Sequence, residues 1–185
     1  MELNRDDAYV LLTEYTKTEN LIKHALGVEA AMRFYARKFE EDEELFGLTG
    51  LLHDFDYEKW PEPKDHPLRG CAILEEQGYP PEMIHAIKGH AEYLGVERVS
   101  ALDRTLFAVD ELVGFVTAVT LVRPSKKLDD VKVKSVKKKL KDKGFARGCN
   151  RDDIQTGIQE LQIDPDEHIA NVIDALRGIS DELGL

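Results

Sequence analysis

Apolar side chains return every three or four residues along almost the whole of this chain, and no run of strand length alternates convincingly between apolar and polar. Such a pattern lays one apolar stripe along each of a series of helices, and striped helices become stable by packing on one another. The stretch from Ser100 to Pro124 is the sharpest case. Ser100 is a good N-cap, Leu106, Val109, Val113 and Val116 share a face, and Pro124 blocks continuation. The same reading predicts helices over Asn4–Tyr15, Asn20–Phe39, Asp42–Asp54, Leu68–Glu76, Pro81–Gly89, Ala101–Val122, Leu128–Lys141, Arg151–Leu161 and Pro165–Leu183. VKVKSV at 131–136 alternates, which leaves a strand there as the minority option. The fold class is all-α: a helical bundle over residues 1–125, with a C-terminal helical extension, 126–185, packed on it.

Composition narrows the partners. With 42% hydrophobic and 33% charged residues among 185, the chain can bury a core under a well-solvated surface. A net charge of -11 gives no electrostatic gain on a polyphosphate, so no nucleic-acid polymer is expected. The run from Lys126 to Arg147 is locally basic; it reads as a solvated helical face or as a docking surface. Cys71 and Cys149 have 77 residues between them and form no CxxC, which suits free thiols in a reducing compartment. MELNRDDAYV has no apolar h-region, and the apolar stretch 112–122 falls far short of the roughly 20 residues a membrane span needs. The expectation is a cytoplasmic protein without a membrane partner; its oligomeric state is open.

The stripe on the Ser100 helix carries one anomaly. Asp110 falls at its edge, and a carboxylate facing a core must be paired or metal-bound. Glu111 points about 100° further round and should be more solvated. His24 shares a face with Val28, Ala31 and Tyr35; alone, it reads more readily as a core histidine. His53-Asp54 closes the third helical segment. A lone His-Asp dipeptide carries little, since with 6 histidines and 17 aspartates chance alone predicts roughly half an occurrence. Together, imidazole nitrogens and carboxylate oxygens are what a hydrolytic divalent cation is held by.

His24, the pair His53-Asp54 and then Asp110, in that order and at that spacing, resemble the HD-domain superfamily of metal-dependent phosphohydrolases; HDFDYE resembles its HDIG-type subgroup, with FD standing where that label has IG. The resemblance covers about residues 20–125. It implies an HD-domain-like helical bundle in which His24, His53, Asp54 and Asp110 bind one divalent transition metal: iron, manganese, cobalt, nickel or zinc. His66, in HPLRG, and His90, in IKGHAEYLG, correspond to the second-metal ligands of binuclear members, with Asp54 as the bridge; otherwise both are surface loop histidines. Gly78-Tyr79-Pro80 spells the label of a cyclic-dinucleotide branch, but it precedes His90 and reads as a turn before a helix start. His85 and His168 have no such context and are expected on helix surfaces.

The implied function is hydrolysis of a small phosphoester, a nucleotide among the candidates, by metal-activated water. Asp54 is a ligand with a catalytic role, and Asp56 and Glu58, just after it, are candidate acids for the leaving group, or else solvated loop acids. Arg123 and Lys126, then Lys59 and Arg69, are candidate phosphate contacts; ordinary helix C-terminal charge stabilisation explains the first two equally well. No P-loop, GxGxxG or GxSxG motif is present. The competing reading is a non-catalytic nucleotide- or partner-binding module that keeps a structural metal.

Overall fold

A computed structural model describes residues 4–185, and every regular element in them is helical. The helices are α1 (Arg5–Tyr15), α2 (Glu19–Phe39), α3 (Glu43–Leu52), α4 (Leu68–Glu76), α5 (Pro81–His90), α6 (Ala101–Leu121), α7 (Val133–Leu140), α8 (Arg151–Leu161), α9 (Pro165–Arg177) and α10 (Ser180–Leu183), with single 3₁₀ turns at Glu92–Leu94 and Leu128–Asp130. Their starts follow from capping chemistry. Asn4, Asp42, Asn150 and Asp164 each accept two first-turn amides. Ser100 and Asp103 form a reciprocal capping box at α6.

Two predicted helices are interrupted. Leu128–Lys141 begins as a 3₁₀ turn and becomes helical only at Val133, because Val131 is fully buried and its carbonyl accepts from Arg177 at 2.9 Å. The alternation in VKVKSV thus belongs to an extended link and a helix start, and no strand forms. Pro165–Leu183 breaks at Gly178-Ile179, where α9 ends and the short α10 sets off again.

The long α6 is the centre of the bundle, with α2, α5, α8 and α9 packed around it. Leu106, Val109, Val113 and Val116 are buried, as the periodicity requires. The tightest pairing is between α2 and α3. A Cβ at Gly50 would lie 2.9 Å from Met32 Cγ and 3.0 Å from the Glu29 backbone, so only hydrogen fits. One turn earlier, Gly47 leaves room for the Arg33 guanidinium. Arg33 reaches Glu44 at 2.8 Å and shares the buried Glu29 with Arg5, which grips both its oxygens at 2.7 and 2.9 Å. A buried carboxylate is tolerable when paired this completely, and this one ties α1, α2 and α3 together.

His168 corrects the expectation of a surface histidine. It is fully buried on α9, donating from Nε2 to Ala108 O at 2.9 Å and accepting at Nδ1 from the Tyr35 hydroxyl at 2.6 Å. Asn171 donates to the same hydroxyl at 3.2 Å. With one nitrogen donating and the other accepting, the ring is neutral, and burial lowers its pKa from the ordinary 6.5. His85 is partly exposed on α5, 3.2 Å from the Asp103 carboxylate of the capping box.

Two outcomes follow from this packing. Gly50→Ala should lower stability by about 1–3 kcal/mol, because α2 and α3 must part; Gly148→Ala, where nothing lies within 4 Å, is the control, and chemical denaturation measures both. His168, with a folded pKa below its unfolded one, contributes stability that is full above about pH 6.5 and lost as pH falls below it. The stability gap between the native chain and His168→Gln should therefore narrow between pH 7 and pH 5.

Candidate metal centre

Five elements deliver the sequence-predicted ligands to one place. His24 comes from the second turn of α2 and Asp110 from the middle of α6. His53 caps the C-terminal end of α3, and Asp54 begins the turn beyond it. His66 lies just before α4, and His90 is the last residue of α5. The glycine contact that presses α3 onto α2 is what lets His53 face His24, with ring centroids 5.3 Å apart.

Asp54 is the hinge of the arrangement. Its Oδ2 lies 3.5 Å from His53 Nε2, while its Oδ1 lies 3.3 Å from His66 Nε2 and 3.2 Å from His90 Nε2. Asp110 Oδ1 lies 2.9 Å from His24 Nε2 and 3.3 Å from His53 Nε2. Two ligand sets result: His24, His53 and Asp54, with Asp110 alongside, and Asp54, His66 and His90. The structure brings all six of these side chains together, with the two oxygens of Asp54 turned toward different histidines.

The back of each ring fixes its tautomer. His53 Nδ1 donates to Gly50 O at 2.7 Å, His66 Nδ1 to Asp56 Oδ1 at 2.7 Å, and His90 Nδ1 to Ile87 O at 2.5 Å. In the neutral rings the Nε2 lone pairs therefore point inward, straight at carboxylate oxygens. Lone pair against lone pair at this range is unfavourable unless something positive lies between. The buried atoms His53 Nε2 and Asp54 Oδ1 have no hydrogen-bond partner, an expensive condition for polar groups at this depth. Their chemistry, nitrogen and oxygen donors with oriented rings, fits one or two divalent transition metals. Without metal, the cluster satisfies itself with protons. Burial opposes charge on His53, but Asp54 and Asp110 outweigh it and raise the ring to about 10. His66, against the same opposition, is raised to about 9 by Asp54 and Asp56. The imidazoles hold Asp54 and Asp110 well below the usual carboxylate range, overcoming the burial that would raise them.

The other predicted residues are placed differently. Asp56 is fully buried, and both its oxygens are occupied: Oδ1 by His66, Oδ2 by the Gly70 amide at 2.7 Å. It orients His66 instead of facing the substrate side. A Cβ at Gly70 would strike its carboxylate at 2.8 Å, which explains the glycine of HPLRG. Glu58 accepts from the Lys17 and Thr18 amides at 2.7 and 3.0 Å and from the Thr18 hydroxyl, so it caps the start of α2. The expectation that these two acids serve a leaving group is corrected: neither lines the cleft above the cluster, and both are held by the fold. The four predicted phosphate contacts are also elsewhere. Arg123 donates to Ser135 at 3.2 Å, and Lys126 sits in the turn after Pro124. Lys59 lies over the rings of Tyr15 and Trp60, and Arg69 pairs with Asp65 beside Trp60.

Above the cluster opens a cleft of about 810 Å³, and neither a lysine nor an arginine is among its lining residues. His24, Asp54, His66, His90 and Asp110 form its floor; Tyr57, Tyr93 and Phe107 give it aromatic walls. Glu111 and, from the start of α8, Cys149, Asn150 and Asp153 complete it. Burial, aided by the Asp110 charge, pushes Glu111 up to about 7. The helical wheel had turned Glu111 toward solvent, and nothing in the pattern around 149–153 pointed to this cleft; the one local clue, Asn150 as a helix cap, speaks only of α8.

A family model of the HD domain matches residues 21–114, a little over half of the chain and the span holding all six ligands. The chain belongs to the HD-domain family. HD domains bind divalent metals and are in general metal-dependent phosphohydrolases. No curated protein and no solved structure matches the chain. The α8 wall lies outside the matched span. No helix among the described residues is long and apolar enough to cross a membrane.

Metal uptake should displace protons from His53 and His66, so affinity should rise with pH by up to about a hundredfold per unit below pH 9 when both are lost. Calorimetric titration of metal-stripped protein with zinc or manganese at pH 6, 7 and 8 measures this. Asp54→Ala should abolish binding, whereas His66→Ala should leave the His24-His53 set and reduce any two-ion stoichiometry to one.

Proposed function

We propose that this HD domain hydrolyses a small phosphoester with the help of a divalent metal. The observation that carries the reading is that His53 Nε2 and Asp54 Oδ1, both buried and unpartnered, belong to a cluster whose His24, Asp54, His66, His90 and Asp110 side chains line the floor of an open cleft. A purely structural staple favours closure on all sides; this ligand set is instead exposed to a space large enough for a small molecule. His24, His53, Asp54 and Asp110 would hold one ion, and Asp54, His66 and His90 a second. An ion so held lowers the pKa of a water from ~16 toward ~7 and takes up charge on phosphoryl oxygens.

The chain's own residues supply order. Gly50 O, Asp56 and Ile87 O fix which nitrogen each histidine presents, so the ligands need not reorganise as charge develops. Tyr93 donates to His66 O at 2.6 Å and holds the aromatic wall against the ligand it shelters. An ester that fills the cleft would sit with its phosphoryl group over the floor.

The test is turnover of p-nitrophenyl phosphate, bis-p-nitrophenyl phosphate and a nucleotide panel by metal-loaded protein. His53→Ala and Asp54→Ala should each reduce turnover by about a thousandfold or more. Metal bound stoichiometrically with no turnover of any ester would instead support a non-catalytic binding module. Asp56→Asn should weaken metal affinity at the His66 set by about 10–100-fold without removing a ligand, as expected of a group that orients one.

A further inference from the structure

An HD domain acting on phosphate needs positive charge near the scissile group, yet among the described residues no ammonium or guanidinium lines the cleft. Two arginines that touch its lining residues are already committed. Arg98 gives Nε and Nη2 to Glu160 at 2.7 Å and Nη1 to Glu92 and Gly89 O, with its plane 3.6 Å from the centroid of Phe107. Arg151 spends its donors on backbone carbonyls, among them those of Leu140, Ala146 and Cys149. Two carboxylates of the wall stand differently. Neither Glu111 nor Asp153 has an ion-pair partner among the described residues. Glu111 accepts only the Asn150 amide at 3.1 Å.

Resting on the phosphohydrolase reading, we infer that the substrate carries a single phosphoryl group on an alcohol whose far end bears a cationic amino group, and that Asp153 and Glu111 receive that group. The floor takes the phosphate through its metal set, and the wall takes the opposite charge. A second phosphate or a carboxylate at the far end would meet two carboxyl groups without an ion-pair partner in a half-enclosed space, whereas an ammonium there favours their ionised form. Hydrogen-bond donors suit acceptor-only carboxylates, and an ammonium offers three of them. The two carboxylates therefore set specificity, by attraction toward amines and repulsion of polyanions.

The experiment compares three phosphonates of equal length on metal-loaded protein: 3-aminopropylphosphonate, butylphosphonate and 3-phosphonopropanoate, by calorimetry. The expected order of affinity is amine, then alkyl, then acid, with about tenfold at each step. In Asp153→Asn and in Glu111→Gln, which keep shape and hydrogen-bonding capacity, the amine-to-alkyl ratio should fall by about threefold or more. Hydrolysis of O-phosphorylethanolamine should correspondingly exceed that of 2-phosphoglycolate in kcat/KM. Equal or reversed order among the phosphonates, or a ratio unmoved in both variants, overturns the inference. Preferential amine binding with no hydrolysis of any ester leaves the specificity standing and removes the catalytic reading; turnover with a reversed order does the opposite.

Discussion

Everything near the cleft answers to one electrostatic demand: two half-buried carboxylates, Asp54 and Asp110, surrounded by imidazole lone pairs, require positive charge between them. Protons meet the demand in the metal-free cluster, through a His53 raised to about 10 and a His66 raised to about 9. A divalent ion meets it better because it accepts several donors at once. The folding problem is thus to hold like-natured atoms close enough to share a cation. That cost is met by packing far from the cleft: Gly50 against the Glu29 backbone, the Glu29 cluster with Arg5 and Arg33, and the neutral His168 locked between Tyr35 and Ala108.

The helices were legible because each carries its own evidence. Caps such as Asn4, Asp42, Ser100 and Asp164 lie within a few residues of the amides they serve, and the stripe on α6 needs no partner to be recognised. The metal cluster was legible for a related reason. Order and spacing along the chain carried the resemblance, and an aspartate at the edge of an apolar stripe is costly unless paired. The interruptions at Val131 and Gly178-Ile179 were not visible, because they answer to burial and to Arg177, distant in the chain from the first of them.

What stayed hidden was the allocation of acids and bases. Asp56 and Glu58 sit two and four residues after Asp54, where proximity suggested chemistry; their oxygens are instead taken by Gly70, His66, Lys17 and Thr18. Arg123, Lys126, Lys59 and Arg69 flank ligands in sequence, yet aromatic stacking, Ser135 and Asp65 occupy three of them and a turn claims the fourth. Sequence proximity cannot say which hydrogen-bonding capacity has already been used. The α8 wall was hidden more deeply still, since Cys149, Asn150 and Asp153 reach the cleft only through the packing of α8 on α6, where Gly157 leaves no room for a Cβ beside Ala108.

Asp56 joins the end of the His53-Asp54 turn directly to His66 and to the first turn of α4. The His66 ring is therefore held by a short strut of its own, in addition to the proline-rich segment 57–65, whose Glu62 carbonyl takes the His66 amide. Side chains of that segment that face the cleft, Tyr57, Pro61 and Pro63, can change without turning the imidazole. Diversification of what enters the cleft is thereby uncoupled from preservation of what lies beneath it.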